Sequence, residues 1–268
     1  MKDRILILTD FGPAAQQALA YAVVLSQQLH FEIILLHLLQ APPNSDPDVY
    51  ARTRKLRYEN ALLEFGKIRT TYETYTYQNT EERLHLQTHI GYDTIEIAAR
   101  DMVENYQPLM IVIGGNKKNH LQNLLVGGKT KRLLESTHTP ILVVPREATP
   151  ALPQKIVYAT DLDQHDDIQE ILDWSQSLNA QLHELQVDAP GPRPQISQAS
   201  LAHFLTAEED LHVSFVEGLD QYLQKNAADL LILFTREYPF WRPCPYPAPI
   251  CQAEPYTQLP LLTLCSRY

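Results

Sequence analysis

The chain alternates short apolar runs with longer segments in which apolar residues recur every three or four positions. Most of the short runs are rich in Ile, Val and Leu, which is typical of strands buried on both faces. In the first 145 residues the predicted strands are 4–8, 32–39, 84–90, 109–113 and 141–144. The segments between them predict helices at 13–29, 50–67, 94–105 and 129–136. This alternation predicts an α/β fold, a parallel sheet with helices on both faces.

The second half of the chain repeats the pattern of the first half. KIVYATD at residues 155–161 repeats RILILTD at residues 4–10, and further apolar runs follow at 182–187, 211–216, 230–233 and 259–264. An internal repeat of this length indicates duplicated domains rather than a solenoid. The sequence therefore predicts two tandem domains, residues 1–147 and 153–268, with a Pro-containing linker between them.

Two glycine pairs frame the segment after the fourth predicted strand. Gly114-Gly115 ends that strand, and Gly127-Gly128 precedes the helix predicted at 129–136. Glycine lets the backbone approach a ligand closely, and the free N–H groups at a helix start attract negative charge. The arrangement therefore predicts an anion-binding site.

This segment resembles the nucleotide-binding segment of universal stress proteins. The family pattern is an apolar strand, Gly-x-x-Gly, nine residues, Gly-Ser/Thr, a helix, Pro and a further apolar strand. Gly114 and Gly127 match two of its four residue types at the right spacing. Lys117 takes the place of the second Gly, and Gly128 takes that of the Ser or Thr. Thr130 offers a hydroxyl two positions later.

The resemblance implies a Rossmann-like fold of the adenine nucleotide alpha hydrolase-like type, with five-stranded parallel sheets and ATP as the ligand. In the family, the Asp after the first strand and a residue ending the second strand contact adenine and ribose; Asp10 and Leu38 hold these positions. Judged by its position alone, Asp10 is equally well explained as a helix N-cap only or as an N-cap that also contacts the ligand. Mg²⁺ or Mn²⁺ is expected only together with the nucleotide. The phosphates are expected at Gly114, Gly127, Gly128 and Thr130, with Lys117 or Lys129 replacing the lost donors.

The second half departs from the pattern where a phosphate would bind. Phe234 and Pro247 stand at the counterparts of Gly114 and Gly127. Proline lacks the N–H donor that phosphate binding needs, so we expect a degenerate second domain without nucleotide. The loop at residues 238–256 is rich in proline and aromatic residues, and either packing on the other half or binding a partner would explain it.

The resemblance also implies how the two domains associate. Universal stress domains usually pair through their last strands. A tandem chain can make this pair internally, with residues 141–144 beside 261–264, as a pseudo-dimer. Self-association through the same strands is the other arrangement that the resemblance allows.

Composition narrows the class of protein. The net charge of −10 disfavours a nucleic-acid or membrane-surface binder, which would need a basic field. No apolar run has the length of a membrane span, and the chain begins with a strand pattern rather than a signal peptide. The three cysteines form no metal-binding pattern and favour a reducing compartment. We therefore expect a cytoplasmic protein.

Two motifs that suggest catalysis have simpler interpretations. Gly-Lys-Thr at residues 128–130 resembles the end of a P-loop, but Asn123 stands where that motif requires Gly. Asp161 and Asp163 resemble the nucleophile motif of haloacid-dehalogenase phosphatases, yet Asp163, Asp166 and Asp167 are more simply explained as the acidic first turn of a helix. No residue stands out as a base that activates water, so catalysis is left open and is not expected.

The sequence thus supports two hypotheses. The first is a cytoplasmic, regulatory universal stress protein that binds ATP or a related nucleotide in its first domain. The alternative is an interaction module of the same fold that binds a protein partner and no nucleotide.

Overall fold

The computed structural model describes residues 3–39, 47–79, 84–115, 128–160, 168–186, 222–223, 225–235 and 259–265. From Arg4 to Pro145 the described elements alternate between strand and helix, as the apolar pattern predicts. The strands are β1 (Arg4–Thr9), β2 (Glu32–Leu38), β3 (Leu86–Gly91), β4 (Met110–Gly115), β5 (Ile141–Pro145), β6 (Lys155–Thr160), β7 (Gln181–Gln186), β8 (Leu230–Thr235) and β9 (Leu261–Cys265). The helices are α1 (Pro13–Leu29), α2 (Pro47–Asn79), α3 (Ile95–Tyr106), α4 (Gly128–Ser136) and α5 (Ile168–Ser177).

The described strands form one sheet in the order β3-β2-β1-β4-β5-β9-β8-β6-β7. The first five strands run parallel to one another, so the predicted α/β fold with a parallel sheet is confirmed. The chain proceeds from β1 to β2 and β3 on one side, then continues with β4 and β5 on the other. The order of strands therefore switches between β1 and β4, and ligands of open α/β sheets bind at such points.

The two halves of the chain meet where β5 and β9 pair antiparallel, with Ile141 opposite Thr263 and Val143 opposite Leu261. The Thr263 hydroxyl donates a hydrogen bond of 3.1 Å to the Ile141 carbonyl across this joint. The strand predicted at residues 211–216 lies outside the described residues. The division at residues 1–147 and 153–268 and its interpretation as a pseudo-dimer stay predictions.

The core consists of two apolar clusters, one on each face of the sheet. Ile5 belongs to one cluster and Leu6 to the other, because successive side chains of a strand point to opposite faces. Helix α1 packs on the first face, whereas α3 and α4 pack on the second with Ala99 and Leu133. Both clusters contain residues from both halves, so the core is continuous across the β5–β9 joint.

Helix α2 is longer than the sequence pattern predicts. The apolar pattern predicts a helix over residues 50–67, which is too short because α2 runs from Pro47 to Asn79. The hydroxyls of Thr70, Thr71 and Thr74 donate to carbonyls four residues earlier. These bonds satisfy the side chains of residues whose β-branching otherwise favours strands.

Helix α3 turns one apolar face toward the sheet and leaves one large apolar residue exposed. Ile95, Ala98, Ala99 and Met102 are buried, whereas Ile97 is 46% exposed. Residues two positions apart lie on nearly opposite sides of a helix, so Ile95 and Ile97 cannot both face the core.

Candidate functional site

A cavity of about 230 Å³ lies at the carboxyl ends of β1, β2 and β4, where the strand order switches. Aliphatic side chains of the strands and of α1 and α3 form much of its wall, while α4 contributes two cations. The wall thus combines apolar side chains with five polar or charged residues, and small-molecule pockets likewise join apolar surface to polar groups that orient the ligand. The lining residues are Leu8, Thr9, Asp10, Ala14, Ala15, Leu36, His37, Leu38, Ile95, Ile113, Gly114, Lys129 and Arg132.

The turn between β1 and α1 holds Asp10 in place at the cavity. Phe11 adopts the left-handed conformation, with φ of 61°. Its N–H donates to the Thr9 hydroxyl at 3.0 Å, and the Gly12 N–H donates to Asp10 Oδ1 at 3.0 Å. The N-cap of α1 is Gly12, so the interpretation of Asp10 as the helix cap is wrong. The Asp10 carboxylate instead stabilises the turn that precedes the helix.

Lys129 of α4 reaches across the cavity to the same carboxylate. Its Nζ lies 3.2 Å from Asp10 Oδ2, and both side chains are substantially exposed. Partial burial acts to raise the pKa of the Asp10 carboxyl, but the Gly12 N–H and the Lys129 ammonium outweigh it. The pKa of Asp10 therefore lies below its ordinary value, and its carboxylate is ionised at neutral pH.

Arg132 forms a second ion pair at the cavity. Its Nε lies 3.6 Å from Oε1 of Glu96, which stands in the first turn of α3. The backbone N–H of Glu96, and further the Thr94 hydroxyl and the Arg132 guanidinium, lower the pKa of this carboxyl. The sequence analysis missed Arg132. Its helical spacing of three from Lys129, which puts both on one face of α4, was the available signal.

His37 is a further cavity residue that the sequence analysis missed. Its Nδ1 lies 2.8 Å from the Thr9 carbonyl. Because a carbonyl only accepts, Nδ1 carries the hydrogen, and in this tautomer of the imidazole Nε2 is an acceptor. Phe11 stacks on the His37 ring with centroids 4.3 Å apart and meets Phe65 of α2 edge-on at 5.2 Å. The sequence signal that could have identified His37 was its position next to Leu38, near the end of the buried strand β2.

Gly114 allows α1 to approach the end of β4 closely. A Cβ at this position would overlap the Ala14 carbonyl group and lie 2.7 Å from the Ala15 nitrogen. This contact between helix and strand explains the glycine without any ligand. Gly114 also lines the cavity, so the close approach of α1 to the end of β4 also determines the shape of the cavity wall beside the first turn of α1.

The structure brings together four of the residues that the resemblance selected: Asp10, Leu38, Gly114 and Lys129 all line one cavity. Gly128 begins α4. Thr130 is 5% exposed and is not part of the cavity wall. Lys117 and Gly127 lie outside the described residues, as do Asp161 and Asp163 of the phosphatase interpretation.

The described residues contain no group of three His, Cys, Asp or Glu side chains arranged to hold a metal ion. In the same part of the chain, no helix combines the length and the apolar character that crossing a membrane requires.

The model of the universal stress protein family matches residues 1–145. These residues are more than half of the 268-residue chain. The chain therefore belongs to the universal stress protein family, as the glycine pattern predicts. No curated protein sequence matches the chain.

Two solved structures that align with nearly the full chain have a similar fold. A universal stress protein from Archaeoglobus fulgidus DSM 4304 is similar with a TM-score of 0.67 and 13% sequence identity, covering 99% of this chain and 98% of that chain. A functionally unknown protein from Pseudomonas aeruginosa PAO1 is similar with a TM-score of 0.54 and 13% identity, covering 98% and 92%. At these identities the similarity shows the fold alone.

Proposed function

We propose that this universal stress protein is a regulatory, cytoplasmic protein that binds ATP or a related nucleotide in the cavity beside β1, β2 and β4. The observation that carries the proposal is the combination of an apolar wall and two cations at the switch point of strand order. Ligands of open α/β sheets bind at this point, and cations beside a helix start favour phosphate.

The apolar end of the cavity suits the adenine and ribose. Leu38 supplies an aliphatic surface, and His37 Nε2 remains as an acceptor for the adenine amino group. Asp10 stands beside them with a carboxylate that accepts hydrogen bonds from ribose hydroxyls. The proposal therefore keeps Asp10 and Leu38 as the contacts of the nucleoside.

The phosphates would extend toward the start of α4. The cavity volume of about 230 Å³ is below the range of roughly 300–1,000 Å³ that is typical of small-molecule pockets. The described cavity thus suits a nucleoside, with the phosphates over Gly114, Gly128 and Lys129. Lys117 and Gly127 complete the proposed contacts from the segment between β4 and α4. Thr130, which is buried, would reach the phosphates only after a change in its surroundings.

We infer that Mg²⁺ or Mn²⁺ enters only with the nucleotide. The described residues offer no cluster that would hold the ion by itself. Mg²⁺ is commonly bound through one or two carboxylates together with substrate phosphates, so the nucleotide would supply most of its ligands.

Nucleotide content and rebinding test the proposal. Protein purified without added nucleotide is denatured, the released adenine nucleotide is quantified by chromatography, and ATP binding is measured by calorimetry. Leu38→Trp fills the apolar end of the cavity, and we expect ATP to bind at least about tenfold more weakly because added bulk in a packed wall excludes the base. Ile97→Trp is the matched control, since Ile97 lies exposed on α3 outside the cavity. Absence of both released nucleotide and ATP binding in the wild type would refute nucleotide binding.

A protein-interaction module of the same fold is the second candidate. The ion pair between Asp10 and Lys129 joins the start of α4 to the β1–α1 turn across the cavity and already engages the lysine that would bind phosphate, which favours this candidate. Helix α2 also exposes Leu56, Leu62 and Leu63, more apolar surface than a helix facing only water needs. If the wild-type chain neither carries nor binds ATP, the protein-interaction module is the candidate function that remains.

We further infer that the chain consists of two tandem domains, residues 1–147 and 153–268, joined as an internal pseudo-dimer. The antiparallel pairing of β5 with β9 and the parallel strands on either side of it support this inference. Because β9 covers β5, self-association through that strand is not expected. The second domain is proposed to bind no nucleotide.

A further inference from the structure

We propose that Arg132 is a second anion-binding side chain of the cavity, and that Asp10 and Glu96 compete with the ligand for the two cations of α4. The ligand class is a chain of phosphate groups, such as the polyphosphate of a nucleoside triphosphate. The inference rests on the proposed function, because it describes how the same cavity admits an anionic ligand.

The two cations form a pair on one helix. Lys129 and Arg132 are three residues apart, so they lie on the same face of α4, and both line the cavity. Their side chains are 65% and 55% exposed, which leaves both free to move toward a ligand. An ammonium and a planar guanidinium one helical turn apart suit successive phosphate groups, and the guanidinium forms two parallel hydrogen bonds to one of them.

Each cation is already engaged by a carboxylate from another element. Lys129 pairs with Asp10 of the β1–α1 turn, and Arg132 pairs with Glu96 of α3. The Gly12 N–H also holds Asp10, so the carboxylate stays at the cavity when the lysine leaves it. Asp10 is therefore the fixed member of its pair, and Lys129, on its flexible four-carbon stem, is the mobile member.

The charges of this arrangement balance before any ligand enters. Two cations and two carboxylates sum to zero, so a polyphosphate must take the cations from the carboxylates and then remain near both carboxylates. Exposed ion pairs contribute little, so each exchange lowers the affinity only a few-fold. A neutral nucleoside needs no such exchange. The two carboxylates thus hold the affinity for polyphosphate below what the cations alone would provide.

Binding of inorganic tripolyphosphate to the full chain tests this competition without the nucleoside. Calorimetry at one low ionic strength compares the wild type with Asp10→Asn, Glu96→Gln and Arg132→Met. We expect Asp10→Asn and Glu96→Gln each to raise the affinity about twofold to fivefold, the contribution of an exposed ion pair. Arg132→Met is expected to lower it at least as much, because a bidentate contact is lost.

Glu64→Gln is the matched control, because it removes a carboxylate from the ion pair with Lys67 on α2, outside the cavity wall. It is expected to leave the affinity unchanged. Asparagine at position 10 keeps an acceptor for the Gly12 N–H, and thermal unfolding of each variant verifies that the fold is intact. Unchanged or lowered affinity in both Asp10→Asn and Glu96→Gln overturns the competition. Unchanged affinity in Arg132→Met overturns the role of Arg132 in anion binding. The absence of any tripolyphosphate binding overturns both the competition and the role of Arg132.

ATP binding is measured in parallel with tripolyphosphate binding, so that a failure of this inference can be told apart from a failure of the proposed function. If the variants change the tripolyphosphate affinity as expected but the wild type binds no ATP, the proposed function fails and the inference stands. If ATP binds and the carboxylate variants leave tripolyphosphate affinity unchanged, the inference alone fails.

Discussion

At the scale of single residues, two glycines of the same chain have opposite roles. Gly114 stands where β4 meets the first turn of α1, and a Cβ there would overlap the Ala14 carbonyl group. Gly66 stands in α2, where a Cβ would meet nothing within 4 Å. The first glycine is therefore required by packing, whereas the second costs helix stability without a compensating contact.

Replacing each glycine by alanine is expected to change stability in opposite directions. Gly114→Ala should lower the free energy of unfolding by about 1–3 kcal/mol, because the added methyl group forces α1 away from the sheet. Gly66→Ala should raise it by about 0.5–1 kcal/mol, because alanine favours the helix. Equilibrium unfolding in urea measures both. A Gly114→Ala variant as stable as the wild type would contradict the close approach.

At the scale of elements, α4 is a nine-residue helix that two ion pairs link to the rest of the fold. One pair joins Lys129 to Asp10, 119 residues earlier in the chain, and the other joins Arg132 to Glu96 of α3. Leu133 anchors the same helix in the core. The helix therefore presents its cations to the cavity while its apolar face holds it on the sheet.

The link between α4 and the β1–α1 turn is expected to depend on pH. The pKa of Asp10 is lowered in the folded chain from its ordinary value of 3.8, so the folded state binds fewer protons than the unfolded state. The stabilisation is therefore present above pH 3.8 and is lost as the pH falls through the folded pKa. Because the ion pair is exposed, we expect the free energy of unfolding of the wild type to exceed that of Asp10→Asn by only about 0.2–1 kcal/mol at pH 7.

Urea unfolding of the wild type and Asp10→Asn between pH 7 and pH 3 measures this difference. It should be constant down to about pH 4 and shrink below that. A difference that persists unchanged at pH 3 would show that the substitution acts through packing or hydrogen bonding and not through charge. Lys129→Met serves as the companion variant, since without the ammonium the same substitution should have a smaller effect.

At the scale of the whole molecule, the β5–β9 joint unites the two halves. Thr263 is fully buried in this joint and donates to the Ile141 carbonyl. Phe31 of the first half also meets Trp174 of α5, with ring centroids 6.4 Å apart. A continuous core of this kind favours unfolding as one cooperative unit.

Thr263→Val is expected to lower the free energy of unfolding by about 1 kcal/mol, because it keeps the shape of the side chain and removes a buried hydrogen bond. Both tryptophans lie after residue 153, so tryptophan fluorescence reports on the second half while far-ultraviolet circular dichroism reports on the whole. The unfolding transitions followed by fluorescence and by circular dichroism should coincide, and Thr263→Val should shift both by the same amount. Thr70→Val in exposed α2 is the control and should have little effect. Separate transitions would show that the halves unfold independently.

The sequence by itself determined the parallel α/β fold, the family, and the positions of Asp10, Leu38, Gly114 and Lys129 at strand and helix ends. These features are readable because buried strands, helix faces and glycine turns have local signatures of apolar spacing and backbone freedom. The length of α2 escaped prediction because its Thr and Tyr residues favour strands locally, and helical hydrogen bonds outweigh that preference.

Only the tertiary structure decided which side chains meet. Lys129 pairs with Asp10, Arg132 pairs with Glu96, and His37 turns to Thr9 across neighbouring strands. None of these pairings has a local signature, because each joins residues from separate elements that only the packed sheet brings within a few ångströms. The antiparallel register of β5 and β9 is of the same kind, since it depends on how two distant segments align and not on either segment alone.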